Sequence, residues 1–314
     1  MFKRLIGNLK PFKKKRSPGP RLSVIVVCYQ MEEQVGNTLR SLLPPYQIKA
    51  KKSEYEILVI DNGSEKPLPE ATWKLASNVK YQHIPPGEAS PNPGVAVNRA
   101  VRMSQGEAVC IILDGARMMT PGVISWGLRL LKMGGRAVVE VRAWHLGPKI
   151  QTESIVEGYN HEVEARMLEE AKWWENGYRL FEISAPTAQT RQGFGTQSVE
   201  ATCIFMSRAL YDEIGGYNEA YKAPGGGLVN LDFYARAVEA AESVFTVLGE
   251  GTFHQVHGGA ATGLTKPQLT EALERWGEES KGLRGELRAV DRKKFILAGH
   301  LPKECERWLR QERD

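Results

Sequence analysis

The sequence is short of what marks an exported or membrane-spanning chain. Its 314 residues hold four cysteines, Cys28, Cys110, Cys203 and Cys305. They lie far apart with no Cys-x-x-Cys spacing, which argues against a disulfide framework, and two fall in apolar runs that read as buried strands. No apolar stretch approaches the roughly 20 residues needed to cross a bilayer. The first 16 residues contain no acid, yet they lack the hydrophobic centre of a signal peptide. Missing too is any Gly-x-Gly-x-x-Gly after the first apolar run, where the chain reads Gln30-Met-Glu-Glu. That excludes a dinucleotide-binding turn and the Gly-rich, basic loop of a nucleotidyltransferase. These absences point to a cytoplasmic protein.

Charge is unevenly placed. The formal net charge is +5, but Lys3, Arg4, Lys10, Lys13, Lys14, Lys15 and Arg16 supply more than all of it. The remainder of the chain is slightly acidic, so a broadly basic nucleic-acid surface is excluded. Residues 1–20, with Pro11, Pro18 and Pro20, read as a disordered tail. It could touch an anionic membrane at the inner face, at roughly 1 kcal/mol per basic residue.

Beyond the tail, short apolar runs alternate with helical patterns. Strands are expected at 22–27, 55–60, 79–83 and 108–113, with helices at about 32–43 and 94–104. The alternation predicts an α/β fold with a mostly parallel central sheet flanked by helices. Ligands of such sheets sit at the carboxyl ends of the strands. Tyr29, Asp61 and Asp114 all fall there. Further on, a strand is expected at 137–143, a Glu-rich helix at 157–174, a mobile loop at 184–197, a strand at 200–206, a helix at 230–242 and a strand at 243–248. Leu269, Leu273 and Trp276 share one helical face, as do Leu283, Leu287 and Val290. The chain thus divides into a tail (1–20), a main domain (21–265) and a C-terminal helical appendage (266–314).

Five segments, in order, carry a family resemblance: Ser23-Val-Ile-Val-Val-Cys-Tyr29; Glu56-Ile-Leu-Val-Ile-Asp61-Asn-Gly-Ser64; Asn92-Pro-Gly-Val-Ala-Val-Asn98; Ile111-Ile-Leu-Asp114-Gly-Ala-Arg117; and Ile214-Gly-Gly-Tyr-Asn-Glu219. Together they resemble the family-two glycosyltransferases, which use the glycosyltransferase A-type fold. Gly225-Gly-Gly-Leu-Val-Asn230-Leu-Asp232 and His254-Gln-Val-His257 are similar to a bacterial branch of that family. The resemblance implies transfer of a sugar from a nucleotide-diphosphate sugar to a hydroxyl on a glycan, a lipid-linked acceptor or a small molecule, with inversion. It places Asp61 at the nucleotide base, Tyr29 and Glu32 at base and ribose, Asn98 in the donor set, and Asp114 at a divalent Mn or Mg ion on the diphosphate.

Two of the family's acids are altered here. The Asp-x-Asp slot reads Asp114-Gly-Ala, so its second carboxylate is missing. A metal then needs another ligand, and His254 and His257 are the candidates. If both lie on one strand, their spacing sends them to opposite faces, so a single histidine is expected at the metal, His257. The family's Glu-Asp pair becomes Val229-Asn230, and an amide cannot accept the acceptor's proton. Asn230 would instead suit a helix N-cap. The base expected from the resemblance is then Asp232, with Glu200 next. The Trp173-Trp174 pair and Arg191 are candidates for acceptor and diphosphate contacts. The altered acids also fit a second kind of protein: a nucleotide-sugar-binding regulator or scaffold of the same fold that has lost transfer.

Overall fold

The computed structural model describes residues 20–187, 190–195, 198–259, 264, 266–285 and 295–309. The basic tail therefore lies almost wholly outside the described residues, as do Leu287 and Val290.

The β-branched runs form the strands. β1 (Leu22–Cys28) and β2 (Tyr55–Asn62) are buried almost throughout, as expected where helices cover both faces of a sheet. Alternate residues feed two cores. Val24, Val26, Ile57 and Val59 face one side with Val35 and Leu39 of α1 (Glu32–Ser41). Ile25, Val27, Leu58 and Ile60 face the other with Val97 and Val101 of α3 (Pro93–Met103). α1 starts on Glu32 and Glu33 and ends near Arg40, complementing its dipole. The Asn92 side chain accepts from Gly94 N, and Pro93 takes the first position of α3.

The remaining elements are α2 (Glu70–Trp73), β3 (Val79–Ile84), β4 (Ala108–Ile112), β5 (Arg117–Met119), α4 (Val123–Met133), β6 (Ala137–Leu146), α5 (Gln151–Ser154), α6 (His161–Ala171), β7 (Ser184–Pro186), β8 (Cys203–Ser207), α7 (Arg208–Glu213), α8 (Val229–Ala240), β9 (Ser243–His254), α9 (Lys266–Arg284) and β10 (Phe295–Gly299). The sheet runs β10-β9-β6-β8-β4-β1-β2-β3, with β5 on β9 and β7 on β6. β3, β2, β1 and β4 are mutually parallel, β8 is antiparallel to both neighbours, and β6, β9 and β10 are parallel again. The expected mostly parallel sheet flanked by helices is present, with β5, β7 and β8 antiparallel to their neighbours. Among the described residues no helix is long and apolar enough to cross a membrane, and all four cysteines are free and buried.

Two elements depart from expectation. β9 does not stop at Leu248 but runs on to His254. Gly249 interrupts the apolar run because its backbone meets His300, where a Cβ would collide with the carbonyl oxygen. Past α9, the C-terminal stretch is not a helical appendage. β10 joins the central sheet at its edge, and a 3-10 turn (Lys303–Trp308) sends Cys305 and Trp308 into a third core with Trp144, Phe181, Phe194 and Phe253.

Candidate functional site

Asp114 follows the end of β4, and β9 ends at His254. β5, which starts three residues after Asp114, pairs with β9 and sets Arg117 opposite His254, so the two meet although 140 residues separate them: His254 Nε2 lies 2.6 Å from Asp114 Oδ2. His257 joins them, its Nε2 3.0 Å from His254 Nε2 and 3.5 Å from Asp114 Oδ2. The expectation of a single histidine is therefore corrected. Alternation of faces holds only inside a strand, and the chain leaves β9 at His254. Gln255 then bonds Gln34 O, Gln34 bonds Val256 O, and Val256 N donates to the buried Glu164, which folds His257 back over Asp114.

The protonation of this cluster follows from its neighbours. Gln151 Nε2 donates to His254 O, so its Oε1, 2.5 Å from His254 Nδ1, must receive a proton from that nitrogen. His254 Nε2 then carries a lone pair. Burial pushes the His254 imidazole down to about 4 against the pull of Asp114, so it is neutral at pH 7. A lone pair thus faces a carboxylate oxygen and a second imidazole nitrogen, all within 4.8 Å. A divalent cation placed there would satisfy all three at once. Gln151 is the outer-shell partner that fixes the tautomer.

The nucleotide side is mixed. Tyr29, just past β1, is 51% exposed, and its ring lies close to Gly63. Glu32 is exposed and lines a cleft of about 700 Å³ with Gln30, Tyr159, His161 and His257. Asp61 is at the expected strand end, but its carboxylate has no accessible surface. Oδ1 accepts from the Ser64 hydroxyl and Oδ2 from the Tyr81 hydroxyl at 2.9 Å, while Gln30 N donates to Ser64. Asp61 thus fixes the turn beside Tyr29 rather than offering a free oxygen to a base. Asn98 is corrected more fully: its oxygen accepts from Tyr211 and Tyr217 N, and its amide donates to Tyr217 O and Glu219. The side chain ties α3 to the Gly215-Gly216 turn, with no capacity left for a ligand.

On the acceptor side the two candidate carboxylates have different surroundings. Asp232 is buried, with Oδ2 on Arg236 and Oδ1 on Arg284, both at 2.8 Å. Both of its oxygens are thus engaged by guanidinium groups. Asn230 is not an N-cap, since Leu228 holds that position without a side-chain bond. Its Oδ1 accepts from Tyr217 OH and its Nδ2 donates to Glu200 Oε2, each at 3.2 Å. Glu200 is partly exposed. Trp173 is core, packed edge-on against Tyr46, and only Trp174 of the pair is exposed. Arg191 is exposed on its loop.

Sequence reasoning missed three further residues. Gln151 and His145 flank His254, and no motif marks either. Arg117 directly follows the altered Asp-x-Asp slot, and its charge was the available signal. Arg117 Nη2 lies 3.7 Å from Asp114 Oδ2.

Comparison with known proteins agrees with this architecture. The crystal structure of S. aureus TarS 1-349 superposes with a TM-score of 0.51 at 14% identity, over 84% of this chain and 72% of that one. The same protein in complex with UDP-GlcNAc gives 0.51 at 16% identity, over 83% and 66%. An uncharacterized protein, y4gI, from Sinorhizobium fredii is 23% identical over 222 residues, 70% of this chain. The match spans only 23% of that relative's length. The sequence model described as glycosyl transferase family 2 matches residues 23–215, more than half of the chain. The chain belongs to glycosyl transferase family 2.

Proposed function

We propose that the protein transfers a sugar from a nucleotide-diphosphate sugar to a hydroxyl of a glycan, a lipid-linked acceptor or a small molecule, with inversion and with a divalent cation at Asp114, His254 and His257. The observation that carries this reading is the convergence of those three side chains at the strand ends of a family-two fold. A bound divalent cation would neutralise the diphosphate as it leaves. Gln151 holds His254 in the tautomer that presents Nε2, and Glu164 holds the backbone before His257. Tyr29 offers an exposed ring to the base and Glu32 a carboxylate to the ribose. Glu200 replaces Asp232 as the group that takes the acceptor's proton, with Asn230 orienting it. The basic residues 3–16 would favour work at an anionic membrane surface.

Thermal melting with UDP or GDP, with and without Mn²⁺, tests the assignment. A nucleotide at about 100 times its dissociation constant stabilises by roughly 2.7 kcal/mol, on the order of 5–10 °C for a chain of this size. Asp114→Ala and His254→Ala should each lose the Mn²⁺-dependent part. No shift with either nucleotide under any metal would overturn the proposal.

A further inference from the structure

Arg117 is anomalous by its hydrogen bonding. It is 9% exposed, and its Nε and Nη1 have no partner among the described residues. Its ion-pair contact is with Asp114, at 3.7 Å from Nη2. Burying a guanidinium with two unmet donors is costly, and such groups are rare in folded proteins. The position is imposed by the sheet: Arg117 opens β5 and pairs in register with His254 of β9. It also lies within electrostatic range of Glu200. The guanidinium therefore lies near both the metal-type cluster and the carboxylate proposed as base.

Charge points the same way. Asp114 is the lone carboxylate of the cluster and both histidines are uncharged ligands. Arg117 offsets Asp114, so a divalent cation bound there would give the site a net charge of about +2. A diphosphate matches that charge. A second carboxylate in place of Ala116, the arrangement this chain lacks, would have cancelled part of it. We propose that Arg117 binds the diphosphate oxygens of the donor through its unpaired N–H groups, adding its charge to that of a cation held by Asp114, His254 and His257. This rests on the donor assignment made above and adds a residue to it.

Calorimetric titration in Mn²⁺ tests the point, using UDP and GDP together with uridine and guanosine. Loss of charge-assisted hydrogen bonds in Arg117→Gln should weaken the nucleoside diphosphate by about thirty-fold and leave the matching nucleoside unchanged. Arg117→Lys, which keeps the charge without the fork, should recover part of the loss. Affinity of the Gln variant for the diphosphate within threefold of wild type would overturn the inference. So would an equal loss for nucleoside and diphosphate, which would make Arg117 a structural residue. A wild-type protein that takes neither diphosphate overturns the donor assignment itself, and the role of Arg117 with it.

Discussion

Glu200 and Asp232 both lie near Asn230, yet their surroundings give them opposite characters. Asp232 is enclosed by Arg236 and Arg284; Glu200 is partly open and accepts from the Asn230 amide. Asp232→Asn should therefore act on stability. Breaking a buried pair costs about 3–5 kcal/mol, nearer the lower figure here because Arg284 is partly solvated. The melting midpoint should fall by roughly 6–15 °C, while transfer measured well below that temperature stays within a few-fold. Glu200→Gln should do the reverse: a melting curve close to wild type and transfer down about a hundredfold or more. Nucleotide release and melting on the same samples separate the two, and an inactive, fully stable Asp232 variant would restore Asp232 as the base. The placement of Tyr29, Asp61 and Asp114 at strand ends was legible, because each follows or closes a short apolar run. Partners were not. That Asn98 spends its amide on Tyr217, or that His254 and His257 share Asp114, depends on where β9 ends and how 255–257 fold back, and no local pattern encodes that.

At the level of elements, the long β-branched strands and the helices with clear apolar stripes were read nearly to the residue. β5 and β7 escaped because three residues each are too few for an alternation to show, and β10 because it follows a helical pattern and joins the sheet at a neighbour's edge. α4 was not read, although its buried Val123, Ile124, Gly127 and Leu130 keep a helical spacing; the backbone at Gly127 packs against Phe205, where a Cβ would clash with the ring. The irregular β9 carries a consequence for pH. Just past Gly249, Glu250 is fully buried; its Oε2 accepts from Thr120 and Gly122 N, and its Oε1 accepts from Tyr178. Burial outweighs these bonds and raises the carboxyl from 4.5 to about 7. The folded state therefore holds this proton more tightly than the unfolded chain. Its contribution is fully present below about pH 4.5 and is lost as pH rises through 7, in all about 3 kcal/mol. Glu250→Gln should flatten the fall in urea-unfolding free energy between pH 5 and 8. Some slope should remain, because Glu164 is raised to about 7 in the same sense. A slope identical to wild type would remove Glu250 from the account.

Across the whole molecule, the C-terminal segment is structural, which the reading of residues 266–314 as an appendage did not foresee. Trp308 is 8% exposed, its ring 6.2 Å from that of Trp144, with the Arg307 guanidinium 4.5 Å above it. Its carbonyl oxygen touches Gly193, so the loop on the acceptor side rests on the far end of the chain. Trp308→Ala should cost about 3–5 kcal/mol and speed proteolytic cleavage between residues 187 and 200, seen by fragment masses. Unchanged cleavage would mean that the loop is held by Arg142 on Ser198 and Phe194 alone. The spacing of the metal-type cluster has a further effect during synthesis. Asp114 is made 140 residues before His254, so the nascent chain carries the carboxylate long before it owns either imidazole. Until β9 has docked against β6, the three side chains have no common point. Capture of a cation by all three can therefore happen only after the two halves of the sheet have joined, and in a pulse-labelled translation it would date that event.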